Sequence, residues 1–194
     1  MRPTRSSRLA LVGLLAVVAV VILAGNAVFA GSAQESGSAA APAAAAKPTD
    51  GYNIHVIAPH VVKGKEMGPF HHYCKVISPD EPIIQCQIYD STDANAPLTQ
   101  IEYIIGKKVT RGGILTLKQW NRDWHDHKQE IETGRVKVLD VGPEDQQKIA
   151  GIVMHTDGLI FDLWPHGSKI PTGASSIAQS VGHVNLKSLK QSSE

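Results

Sequence analysis

The residues best placed to do chemistry lie in one stretch, Trp120 to Gly134, WNRDWHDHKQEIETG. It holds two of the three Trp and two of the nine His, amid mixed charge. His125 and His127 stand at i and i+2. Two imidazoles at that spacing point the same way only on a strand. There both could bind one ion, because Zn, Cu, Ni and Fe accept imidazole. On a helix the two would diverge by about 200°. His72 and Glu102 are candidate further ligands, and the cofactor such a set would take is a divalent metal such as Zn. The competing reading makes these His packed structural residues beside Trp. No H-E-x-x-H or paired C-x-x-C favours metal on spacing alone. Trp120, Trp124 and Trp164 are candidates to line a ligand pocket, the alternative being core or interface rim. There is no G-x-S-x-G elbow and no phosphate loop, and no catalytic residue is assigned.

The elements that must position these side chains read as follows. Tyr52 to Ala58 alternates weakly and stops at Pro59, an edge strand at best. Lys63 to Pro69 reads as loop. FHHYCKVIS and IIQCQIYD flank the turn-like Ser78-Pro79-Asp80-Glu81-Pro82. A symmetric hairpin puts His72, Cys74, Val76, Ile84, Cys86 and Ile88 on one face, with His71 on the other. Cys74 and Cys86 then face each other within disulfide range. Two buried free thiols are the alternative. Leu98 to Ile105 is a third strand, with Glu102 sharing a face with Gln100 and Ile104. Ile114 to Asp123 suits a short helix, and near Trp124 the period switches to strand through Ile131. A continuous helix through Ile131 fits the same residues. Val141-Gly142-Pro143-Glu144-Asp145 starts a helix that runs to about His155. Leu159 to Trp164 is another strand. The expected fold is therefore one α+β domain, a mainly antiparallel sheet with about two helices.

The first 50 residues are different in kind. Arg2, Arg5 and Arg8 precede an uncharged apolar run, Leu9 to Ala24, and Val28-Phe29-Ala30 suits a cleavage site. Residues 1–30 thus have the pattern of an export signal; uncleaved, residues 9–30 would form an N-terminal anchor. Residues 31–50 are a flexible Ala/Ser/Pro tether. The folded domain is expected over 51–194. Taking the four basic and two acidic residues of the first 50 from totals of 19 and 18 leaves that domain 15 basic and 16 acidic. Such balance excludes a nucleic-acid surface. Contact with a membrane is expected only through the N-terminal segment. The compartment implied is periplasmic or extracellular, where a disulfide persists.

Several motifs taken together resemble a known family. HHYC at 71–74, QCQIYDS at 85–91, IEYI at 101–104 and WHDH at 124–127, with Glu130 and Gly134 after it, occur in the order found in the oil body-associated protein family. So do Gly158 to Trp164 and Lys169-Ile170-Pro171-x-Gly173. The resemblance covers about residues 51–185. It implies a domain of unknown function shared by plants, fungi and bacteria, with no active site to carry over. Where plant members tend to have His two residues before the last Trp, this chain has Asp162. The resulting expectation is an exported, non-enzymatic binding or structural module of the cell envelope. The alternatives are a metal-binding protein or metal-dependent enzyme using the His cluster, and a lipid-surface protein.

Overall fold

The computed structural model describes residues 47–189, so the expected export segment and residues 31–46 of the tether lie outside the described residues. The strands are β1 (Ile54–Val62), β2 (Lys65–Ser78), β3 (Ile83–Tyr89), β4 (Leu98–Gly106), β5 (His125–Asp126), β6 (Lys137–Leu139), β7 (Thr156–Asp162) and β8 (Ser176–Ser180). The α-helices are α1 (Lys107–Val109), α2 (Leu117–Asp123), α3 (Lys128–Glu132) and α4 (Pro143–Met154), and a π-helical turn, Thr110–Ile114, follows α1.

Six strands follow one another as β2-β3-β4-β7-β8-β1, and β1 also pairs with β2, closing an antiparallel barrel. This corrects the expected α+β class: the domain is a mainly-β barrel with small helices. The physical cause is Pro59. It was expected to end β1, but it sits at a register shift between Ala58 and His60. A bulge tolerates a residue without an N–H. The strand bends there and continues, changing neighbour. Its first half pairs with β6 (His55 to Ile57), and its second half pairs with β8 through His60 and Val61. Lys63 and Gly64 both have positive φ (50° and 76°), the two-residue turn that matches the twist of a hairpin. Lys65 to Pro69, expected as loop, is therefore strand.

The β2–β3 hairpin has the symmetric register, with His72 opposite Ile88, Cys74 opposite Cys86 and Val76 opposite Ile84. Cys74 and Cys86 are disulfide-bonded across it. They pack with Phe70, Ile84, Ile88 and Ile104 in the larger apolar cluster. The bridge closes a loop spanning a sequence separation of 12, and the chain-entropy account gives such a loop about 3 kcal/mol. A Cys74→Ser/Cys86→Ser variant is thus expected to melt about 6–12 °C lower, as scanning calorimetry would measure. An unchanged midpoint would mean that the hairpin is held by its ladder alone.

The Trp–His stretch combines both expected periods. α2 starts on a reciprocal cap between Thr116 and Gln119. Trp124 is extended and ends it. β5 is only two residues long, because Oδ1 of Asp126 accepts the Lys128 N–H at 2.7 Å and starts α3. The strand expected through Ile131 is thus replaced by helix after His127. α4 begins with Pro143 in its first turn, as expected. On the far side of β7, β5 pairs at Asp157 and Gly158, and β8 pairs from Ile160 onward. β5, α3 and β6 therefore stand at the end of the barrel that β8 leaves open. Among the described residues, no helix is long and apolar enough to cross a membrane.

Candidate metal centre

The barrel interior is not uniformly apolar. His60, His72, Gln100, Glu102, His125, His127, Glu130 and Asp162 are all buried. Each comes from a different part of the pattern. Alternation along β2 turns His72 inward with Cys74, and alternation along β4 turns Glu102 inward with Gln100 and Ile104. His60 follows the Pro59 bulge. His125 is set by β5. The backbone of His127 is already α-helical, yet its ring reaches the same place.

Four imidazoles meet one carboxylate. Nε2 of His125 and Nε2 of His127 each lie 3.2 Å from Oε1 of Glu102, and 3.2 Å from each other. Nε2 of His72 lies 3.6 Å from Oε2 of Glu102 and 2.9 Å from Nε2 of His60. Two triads, His60–His72–Glu102 and Glu102–His125–His127, therefore share Glu102. The structure thus brings together His72, Glu102, His125 and His127, and adds His60, which the sequence reading missed.

Outer partners fix the protons of three rings. Nδ1 of His60 donates to Oε1 of Gln100 at 2.7 Å, and Nε2 of that Gln donates to Asp162 at 3.3 Å, which sets the amide's direction. Nδ1 of His72 donates to the Phe70 carbonyl at 3.1 Å. Nδ1 of His127 donates to Oγ1 of Thr156 at 2.9 Å, whose own hydroxyl donates to the Val153 carbonyl. A neutral imidazole that donates from Nδ1 presents a lone pair at Nε2. His60 and His72 thus aim two lone pairs at each other. With both rings neutral no hydrogen bond satisfies that contact; a cation shared between them, a proton or a metal ion, does. Such outer partners, which fix tautomer and ring direction, are a regular feature of metal-ligating His.

The electrostatics agree with this geometry. Burial pushes His60 down to about 4 and His72 down to about 3, so both are neutral near pH 7. Burial also lowers His125. For Glu102 burial acts upward, but the hydrogen bonds from His125 and His127 outweigh it and hold the carboxyl well below its ordinary value. For His127 burial acts downward, and the Glu102 hydrogen bond and charge outweigh it, so its value is raised. Glu130 is pushed up to about 8 by burial, and its Oε1 has no partner. Nδ1 of His125 is likewise unpartnered.

Space and distance both suit an ion. Zn–N bonds of about 2.0–2.1 Å place ligand atoms about 2.9–3.4 Å apart, from octahedral to tetrahedral geometry. Four of the five contacts above fall in that range. A cavity of about 30 Å³ lies among the five residues and Glu130, room for on the order of two water-sized spheres. Gly158 keeps that space open: a Cβ there would land on Oε1 of Glu102 and Nε2 of His125.

The neighbouring residues position the centre. Asp157, fully buried, accepts from Nε and Nη2 of Arg111 (3.0 and 2.6 Å), from Oγ1 of Thr110 and from Nε1 of Trp120. Arg111 also pairs with Asp126 at 2.6 Å, and Lys107 does so at 2.8 Å. Asp126 thus points away from the His–Glu cluster while its two His neighbours point in, and the ion pairs clamp β5 against β7. Of the Trp pocket candidates, Trp120 is buried with its N–H on Asp157, Trp124 is 8% exposed, and Trp164 donates to the Ser168 carbonyl. Sequence reasoning also missed Glu130, Gln100 and Gly158. For Gln100 the signal was present, since its face was shared with Glu102.

The family described as "Protein of unknown function (DUF1264)" matches residues 46–193. Oil body-associated protein 1B of Arabidopsis thaliana is 32% identical over 114 residues, 57% of this chain and 45% of that protein. Oil body-associated protein 2A of Zea mays is 30% identical over 109 residues, 55% and 41% of the two chains. Oil body-associated protein 2C of Arabidopsis thaliana is 27% identical over 144 residues, 69% and 56%. The chain spans about half the length of the curated relatives it matches. No solved structure matches. The described barrel, with its buried His and Glu, lies within the matched span, and the chain belongs to the DUF1264 family.

Proposed function

We propose that the protein is a metal-binding barrel that holds a divalent first-row transition ion in the buried cluster of His60, His72, Glu102, His125 and His127, whose two triads share Glu102. The observation that carries this reading is the facing pair of Nε2 lone pairs on His60 and His72, 2.9 Å apart, with Nδ1 of each ring already committed to a fixed acceptor. Buried polar groups left in conflict destabilise a fold, and a cation at the lone pairs removes the conflict. The donor set, imidazole-rich with one carboxylate and no thiolate, suits Zn, Cu, Ni or Fe. Each triad supplies three ligand atoms, and the cavity of about 30 Å³ beside them admits only further ligands as small as water. The function proposed is therefore binding, with Glu130 lining the same cavity.

The barrel is further proposed to work outside the cytoplasm, in the cell envelope. Support comes from the signal-like residues 1–30 and the Cys74–Cys86 bridge. Cell fractionation tests this part, and a wholly cytoplasmic protein would refute it.

The test of the metal reading is elemental mass spectrometry on the untagged protein, beside a His125→Ala/His127→Ala variant. About one ion per chain is expected in the wild type, with less than about a tenth of that in a variant that keeps its near-ultraviolet circular dichroism. A protein that takes up no Zn, Cu, Ni or Fe after chelation and reloading overturns the proposal.

A further inference from the structure

A second cavity, of about 140 Å³, lies between the tip of the β2–β3 hairpin and α4. The hairpin contributes Val76, Ser78, Pro79 and Pro82, and α4 contributes Ile149 and Ile152. The inner wall is Val56, Cys74, Ile104 and Val153, and the same four residues line the metal-centre cavity. One layer of side chains therefore lies between the two spaces. Ser78 is the only polar residue in the lining, and no lining residue is charged. At the mouth, Val76 is 45% exposed and Ile152 is 49% exposed.

These features select the occupant. An apolar cavity of about 150 Å³ stays dry and admits benzene, so this one matches a single ring or a chain of about six carbons. An α-helix, about 10 Å across, does not enter it. A lining without charge gives an anionic group no partner inside, so any polar head must stay at the mouth beside Ser78. Concave, mostly apolar sites with one polar group at the rim are the usual form of small-molecule sites.

We propose that this cavity binds a compact apolar molecule, a ring or short hydrocarbon chain, with its inner end against the side-chain layer over the His/Glu centre. The site does not require the centre to hold metal.

Methyl-labelled NMR of the full chain, titrated with benzene and with 1-hexanol, tests this in both metal-free and Zn-loaded protein. Saturable shifts are expected at the methyls of Ile84, Ile104 and Ile149, with a Kd of about 1 mM or below. Ile152→Trp, a filled lip on a half-exposed position, is expected to weaken binding by about tenfold or more while leaving metal content unchanged. Val76→Trp, on the opposite lip, is expected to do the same and serves if the first variant misfolds. Absence of saturable shifts with both probes overturns the proposal, as does wild-type binding by a folded lip variant. A protein that fails to load metal but shows these shifts refutes the metal reading alone.

Discussion

Gly158→Ala is expected to abolish metal binding and to lower the melting midpoint by about 6–12 °C, the equivalent of about 3 kcal/mol in a domain this size. β7 pairs Gly158 with Ile104 on one side and with His125 on the other, so the backbone is fixed from both edges. The added methyl meets Glu102 Oε1 and the His125 ring, both inside a closed barrel. The Glu102 carboxylate has a His on nearly every side, and the rings of His60, His72 and His127 are pinned by their Nδ1 bonds. The clash is therefore resolved by losing the His–Glu geometry. Gly151→Ala is the control. Gly151 lies on exposed helix with nothing within 4 Å of a new Cβ, and Ala there should stabilise by a few tenths to about 1 kcal/mol. Calorimetry and metal analysis of the two variants read the contrast. Wild-type metal content in Gly158→Ala would show that the cradle around Glu102 is not where the ion sits.

Much of this geometry can be read from sequence, and the parts that cannot have identifiable causes. The hairpin register is legible because the turn residues and two Cys fix it, and it correctly turns His72 inward and His71 outward. Glu102 is legible for the same reason: period-2 alternation in β4 does not depend on distant contacts. His60 is not legible, because Pro59 ends a strand in any local reading. Only the pairing of β1 with β6 and then β8 makes that Pro a bulge. Barrel closure depends on the same residue, so the fold class and the fourth His of the buried cluster are missed together. His125 and His127 converge for a reason the i, i+2 argument does not contain. One sits on a two-residue strand and the other begins a helix, and long-range ion pairs from Lys107 and Arg111 to Asp126 hold that join.

The metal-free protein is expected to be most stable near pH 6.5 and to weaken on both sides. On the acid side, His60 and His72 have folded values of about 4 and 3 against about 6.5 unfolded. As pH falls below about 6.5 the unfolded chain takes up protons at these two positions and the folded chain does not. Stability is lost over that fall, and His125, also lowered, adds to the loss. Glu130 opposes it. Raised to about 8, it gives a contribution fully present below its unfolded value and lost as pH rises through 8. The net excess in the unfolded state is one to two protons, or about 1.4–2.7 kcal/mol per pH unit between about pH 6 and 4.5. On the alkaline side, Glu130 and the raised His127 keep protons that the unfolded chain has released. Stability there falls by about 1.4 kcal/mol or more per unit up to about pH 8. An ion at the centre inverts the alkaline limb, because it binds deprotonated ligands and its affinity grows as protons leave. Urea unfolding midpoints of chelated and Zn-loaded protein from pH 4.5 to 8.5 should therefore diverge as pH rises, and His60→Gln/His72→Gln should flatten the acid limb of the chelated form. A chelated protein whose midpoint is flat across this range would mean that the buried imidazoles and Glu130 titrate as they do in water, which a sealed His–Glu centre does not allow.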